Sequence, residues 1–570
     1  MNTLLKGLGF SGLLLLSGCA TVVDAQAPAE TEFAIRPVLQ PSPRAEWMYQ
    51  VLAAELAGKR DQLDVALDNY RKVAATSADP RIAERGAMLA LLLKDHALAL
   101  ELAQHWQTLA PADEQARQAL ALALLRNGRV DEAANYLETV RKLAGKKDKQ
   151  DGYATLASLL SQVEDKPAAL RVMGQFRDRN PRSAFAQYYY AMLAVAAGER
   201  DQALASLDQA LARDPKMAAA HLLRTRILLD QENREAALAG LGKAVTVLPR
   251  DRNLRMSYAK LLIESGQLDK ARREFATLLN QNPKDADSVY ALGLLAAETR
   301  QFDLAESYFL DLIKRKTRLA DAYFEMGRLE EQRGNYVKAK EWYERVVGED
   351  RYLNARMRMG VTLAKAGDST AVVSQHFDTL RRTNPQNSII LYLAEAEALR
   401  EAERFQEAFA ALERGLALHP DDKDLLYARA LLAERIDRLD VLERDLRAII
   451  AADPQNGQAL NALGYTLADR TDRYQEALSY IEQALAILPN DAAVLDSMGW
   501  VQYRLGDQVK ALEYLRRAYQ ANPDAEIAAH LSEVLWVSGQ REEAKKIWRE
   551  AQRKTPDSRQ LRQLQERFGW

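Results

Sequence analysis

Residues 499–523 read GWVQYRLGDQVKALEYLRRAYQANP, and the spacing inside this stretch decides the fold. Gly499 is followed by Ala511, Leu515, Ala518 and Pro523, at offsets of 12, 4, 3 and 5. Ser532, Ala544, Trp548, Ala551 and Pro556 repeat those offsets, as do Ala259, Ala271, Phe275, Leu278 and Pro283, and Ala191, Ala203, Leu207, Ala210 and Pro215. Two alanines seven residues apart lie two turns apart on one helix face, with the bulkier residue between them. The small residue twelve positions earlier belongs to a preceding helix, so two axes can approach closely. The proline cannot continue the helix and suits the first turn of the next one.

Working outward, the central alanine recurs as Ala66, Ala99, Ala133, Ala169, Ala203, Ala237, Ala271, Ala305 and Ala339. It blurs near Val372, resumes at Ala408, blurs near Leu442, and ends with Ala477, Ala511 and Ala544. Nearly every step is 33 to 36 residues, which makes about fifteen slots with alanine in thirteen. Gly128, Gly198, Gly266, Gly334, Gly367, Gly506 and Gly539 fall between the paired helices, where a helix C-cap takes the left-handed conformation. One unit is a helical hairpin of about 34 residues.

This pattern resembles the tetratricopeptide repeat, from residue 44 to about 556. The usual tryptophan early in the first helix, helix A, is mostly replaced, for example by Tyr49, Gln187 or Tyr323. The resemblance implies an all-α solenoid, a right-handed superhelix of about fifteen hairpins whose units bury a core only by stacking. The irregular units near Val372 and Leu442, and the stretch LAGKKDKQDG (143–152), are candidate joints. DSRQLRQLQERFGW (557–570) reads as an amphipathic capping helix, with a partner-binding tail as the alternative.

The N-terminus speaks differently. Lys6 precedes a mostly apolar run from Leu8 to Leu16, too short to span a bilayer, and Leu16-Ser17-Gly18-Cys19 resembles the bacterial lipobox. That resemblance implies a signal peptide over 1–18 and lipid on Cys19; the alternative is an uncleaved or buried N-terminal helix. Ala20 after the cysteine, rather than Asp, points to outer-membrane sorting. Residues 19–43, with Pro28, Pro37, Pro41 and Pro43, read as a flexible tether. N-terminal repeats (44–150), central repeats (151–350), C-terminal repeats (351–556) and the cap (557–570) follow.

Composition excludes several functions. Cys19 is the one cysteine, so no thiol remains for a disulfide, a zinc site or catalysis. The 78 basic and 80 acidic residues are intermixed, which argues against nucleic acid as partner; Lys146-Lys147-Asp148-Lys149, the densest basic cluster, reads as a solvated turn. His96, His105, His221, His376, His419 and His530 are scattered, none with metal-ligand spacing, and neither a phosphate loop nor a GxSxG elbow occurs. The expectation is a non-enzyme with no cofactor beyond the lipid on Cys19.

In tetratricopeptide arrays helix A lines the concave face. Here that implies Tyr188, Tyr290, Phe324, Tyr427, Tyr465, Trp500, Tyr503 and Trp536 as candidate contacts for a protein partner, the alternative being that they pack between repeats. The Lys/Asn and Lys/Arg set that grips acidic C-termini in co-chaperones is missing from consecutive repeats. The layout and residues 463–522 resemble the tetratricopeptide outer-membrane lipoproteins of Gram-negative bacteria, among them binding partners of periplasmic carboxyl-terminal processing proteases. This implies an adaptor on the periplasmic face of the outer membrane. It would activate such a protease and present substrates such as peptidoglycan hydrolases. A scaffold for polysaccharide export, pilus assembly or peptidoglycan synthase activation is the alternative.

Overall fold

A computed structural model describes residues 42–146, 150 and 152–570. The signal peptide, Cys19, all but the last two residues of the tether, and most of the Lys146–Lys149 cluster lie outside the described residues. Those described form thirty-one α-helices and no strand: fifteen consecutive helical pairs and one final helix, Arg559–Phe568. The fold is a tetratricopeptide solenoid. It divides into two compact units, one ending at Ile227 and one running from Leu228 to Trp570.

Each repeat is written locally. Aspartate, asparagine or serine opens many of the helices: Asp491 Oδ1 accepts from the amides of Ala493 (2.9 Å) and Val494 (3.1 Å). Between the paired helices the chain turns through the left-handed region, at Gly506 with φ 92° and Gly539 with φ 82°. Where glycine is missing a side chain is forced into that region, as at Arg300 (φ 55°). The closing prolines differ from expectation. Pro523 lies after the helix Gln508–Ala521 and before Ala525–Val537, in the linking turn and not in the first helical turn. The N-cap Asp524 must stand between proline and helix, and the residue before a proline is held extended, as Asn522 is (φ −146°, ψ 103°).

The alanine slots are where packing is tightest. All thirteen are at most 1% exposed. In the first irregular repeat the slot is filled by Val373, fully buried, while Val372 is 42% exposed; the blur was a one-residue slip. Leu442 fills the other slot. Seven positions on, these two repeats carry the buried Leu380 and Ile449, large residues as in repeats such as that of Leu278. Ion pairs are buried beside them: Glu395 with Arg381 at 2.9 Å, and Asp445 with Arg429 at 2.7 Å.

The small residue of helix A is required by the bulky residue of helix B. A Cβ on Gly499 would lie 2.5 Å from Leu515 Cγ and 3.1 Å from the Ala511 carbonyl oxygen. Gly293 meets Phe309, Gly327 meets Tyr343 and Gly360 meets Phe377 in the same way. At the C-terminal end Leu561 and Leu564 are buried, and Trp570 packs 5.1 Å from Trp536 and 5.6 Å from Trp548.

Gly499→Ala should therefore destabilise the C-terminal repeats by about 1–3 kcal/mol, the usual cost of overpacking, and Leu515→Ala should recover much of that loss in the double variant. Arg300→Gly, which relieves a left-handed side chain, should raise stability by less than about 1 kcal/mol. Urea unfolding followed by circular dichroism checks all three.

Candidate functional site

Helix A of each repeat turns its small residue toward helix B and leaves another face uncovered. In the second unit the uncovered faces of Lys423–Arg435, Gly457–Arg470, Ala492–Arg504 and Ala525–Val537, together with the cap, line a groove of about 1290 Å³. At its centre the Trp500 indole stacks on the His530 imidazole, with centroids 4.2 Å apart and planes at 22°. Tyr465 lies 6.0 Å from the same imidazole and Tyr503 5.3 Å from Trp500.

Carboxylates from other repeats hold these rings. The Trp500 Nε1–H donates to Asp469 (3.2 Å), the Tyr465 hydroxyl to Glu526 (3.0 Å) and the Tyr503 hydroxyl to Glu533 (3.2 Å). His530 Nδ1 is 2.8 Å from Asp496 Oδ2. Each bond ties helices of different repeats, so the floor of the groove is set before any partner arrives. Burial and the surrounding carboxylates of Glu526, Asp469 and Asp496 push the Tyr465 phenol well above its usual range. Burial alone would lower His530, but Asp496, aided by Glu526 and Asp469, outweighs it and holds the imidazole up at about 9. No hydroxyl or thiol hydrogen-bonds the other imidazole nitrogen among the described residues, and no three acidic, histidine or cysteine side chains among them are placed to hold a metal ion.

Of the eight aromatic candidates, Tyr465, Trp500 and Tyr503 come together in this groove. Trp500 is only 7% exposed, so it supports the floor more than it offers surface. Trp536 lies under the cap, against Phe568 and Trp570, and does not line the groove. Tyr427 packs half-buried against the core. Phe324 is buried against Tyr343 of its own hairpin (5.6 Å). Tyr290 sits with Phe324's neighbours: its hydroxyl is 3.3 Å from Glu325, Arg318 lies over its ring, and burial beside Glu325 pushes the phenol up to about 12. Tyr188, in the first unit, stands edge-on to Tyr189 at 5.0 Å.

The sequence reading missed the charges. Glu434-Arg435, Asp469-Arg470 and Tyr503-Arg504 end helix A in three successive repeats, 35 and then 34 residues apart, and all six residues line the groove. That recurrence was visible and unused. The partner of His530, Asp496, is 34 residues away, one repeat back, and no local spacing signals the pair.

Comparison with known proteins fits this architecture. Tetratricopeptide repeat models match residues 228–297, residues 455–524, and residues 191–251, 290–354 and 393–441. The TPR repeat-containing protein PA4667 of Pseudomonas aeruginosa is 40% identical over 527 residues, which is 91% of this chain and 89% of that protein. The chain belongs to the tetratricopeptide-repeat family. Among solved structures, a thermophilic TPR protein of Thermus thermophilus is 24% identical over 30% of this chain and 95% of its own (TM-score 0.29). Yeast Tom70 is 15% identical over 92% of this chain and 94% of its own (TM-score 0.34). Solenoids of this family are typically scaffolds that bind proteins and need no cofactor.

The histidine gives a pH test. Its native value lies above the ordinary 6.5, so its contribution is fully present below about pH 6.5 and is lost as pH rises through about 9. The urea midpoint, read by tryptophan fluorescence, should fall across that window in the native protein and stay flatter in His530→Gln.

Proposed function

We propose that this protein is a lipid-anchored adaptor at the periplasmic face of the outer membrane, which binds and activates a carboxyl-terminal processing protease and brings substrates such as peptidoglycan hydrolases to it. The observation that carries the scaffold reading is the pre-organised groove of the C-terminal repeats, whose rings and charges are fixed across repeats and open to a partner. The protease reading is supported by the likeness of residues 463–522 and of the whole layout to outer-membrane lipoproteins of that role. The anchor rests on the lipobox ending at Cys19.

A second surface supports a folded protein partner. On the helix Pro43–Lys59, Met48, Leu52 and Leu56 follow at four-residue steps on one face beside Tyr49, and each of the four is more than half exposed. Apolar stripes of this kind mark interaction sites. Holding protease and substrate on one scaffold makes their encounter intramolecular, and lipid on Cys19 confines it to the membrane surface.

Capture of the lipidated protein from membranes should recover the protease. Adding the adaptor should speed cleavage of a peptidoglycan hydrolase by about tenfold or more. Cys19→Ser should move the protein to the soluble periplasmic fraction. Recovery of export or pilus components with no protease, or no change in cleavage rate, would refute the assignment.

A further inference from the structure

Most charges of the groove are sorted by depth, the half-buried Arg504 and the exposed Asp437 being exceptions. Glu434, Asp469 and Glu526 are half-buried, whereas Arg435 and Arg559 are exposed at the edge. Two other acids already have cations: Glu533 pairs with Arg567 and Asp437 with Arg470, each at 2.7 Å. None of the three deep ones pairs with an arginine or lysine within ion-pair distance among the described residues; the His530 imidazolium, bonded to Asp496, is the cation that Glu526 and Asp469 help to hold. Glu526 accepts the Tyr465 phenol, Asp469 accepts the Trp500 indole, and Glu434 accepts nothing. Burial, with repulsion from Glu526 and Asp469 only partly answered by Arg470, holds the Glu434 carboxyl above its ordinary range. Like charges held half out of water on a rigid floor are costly, and a cation among them recovers that cost.

The shape says which cation. No three acidic, histidine or cysteine side chains among the described residues are placed to share a metal ion. A long, multi-donor group reaches several carboxylates at once, and the half-buried rings of Tyr465 and Tyr503 offer it π faces. At the rim, Arg435 and Arg559 make no hydrogen bond or ion pair among the described residues and face solvent. An acidic floor under a basic rim is the complement of a basic residue flanked by acidic ones.

We propose that the groove takes an extended partner segment whose central arginine or lysine is seated among Glu434, Asp469 and Glu526 beside Tyr465, with acidic residues on either side of it meeting Arg435 and Arg559. This deepens the scaffold reading and rests on it, but it does not depend on the partner being a protease.

The test uses the full-length protein in detergent and a blocked, fluorescein-labelled peptide, Gly-Ser-Glu-Ser-Arg-Ser-Glu-Ser-Gly, read by fluorescence polarisation. Citrulline in place of arginine keeps the shape and removes the charge, and should weaken binding by about tenfold or more, the loss expected for a charged hydrogen-bonded group. Glu434→Gln with Glu526→Gln should remove most of that selectivity, while Glu344→Gln, far along the chain, should not. Spermidine should compete only weakly, since it lacks the flanking acids. Equal binding of the arginine and citrulline peptides to the unaltered protein, or no binding of either, would overturn the proposal, whatever the variants do. Lost selectivity with the protease still captured would leave the adaptor standing; selectivity without protease capture would sink the adaptor reading and keep this one.

Discussion

Everything in this protein depends on how closely two helices of a hairpin approach. Glycine, alanine or serine on helix A lets the aromatic or leucine of helix B fill the space where a side chain would stand. Gly499 with Leu515, Gly327 with Tyr343 and Gly360 with Phe377 show margins too small for one added carbon. Because that contact is repeated and local, each repeat positions only its neighbours.

The same contact releases the other face of helix A from packing duty. Its residues can then be polar without cost to the core, and in the C-terminal repeats they form a floor of carboxylates and rings. Tyr465 to Glu526, Trp500 to Asp469 and His530 to Asp496 each cross from one repeat to another. Such bonds make the groove rigid, so a partner loses little further freedom by ordering it. The imbalance that remains, three deep acids with no arginine or lysine in ion-pair distance among the described residues and the His530 imidazolium already bonded to Asp496, is held in place by packing.

The irregular repeats follow the same logic. Where Val373 and Leu442 replace the central alanine, the repeats carry buried ion pairs, Glu395 with Arg381 and Asp445 with Arg429. A buried charge is tolerated when it is paired and hydrogen-bonded, and a broken partner would be costly. The loss of the alanine pattern there reflects a change in how a hairpin is filled while the hairpin itself persists.

The helical hairpins, their turns, the fifteen slots and the C-terminal cap were legible in the sequence, because small-residue spacing and left-handed glycines act over a few turns of chain. Val373 instead of Val372, and the prolines in the linking turns, needed only a one- to three-residue correction of that local reading. The groove was legible in part. Tyr465, Trp500 and Tyr503 could be named from their register, but whether a ring faces solvent depends on neighbours in other helices, 19 residues away for the buried Phe324 and 32 for the capped Trp536. The pairing of His530 with Asp496, and the lack of an arginine or lysine within ion-pair distance of Glu434, Asp469 and Glu526 among the described residues, were decided by tertiary structure alone. Charge compensation is a matter of distance in space, and helices one or two repeats apart in sequence come within hydrogen-bond reach only once the repeats are stacked.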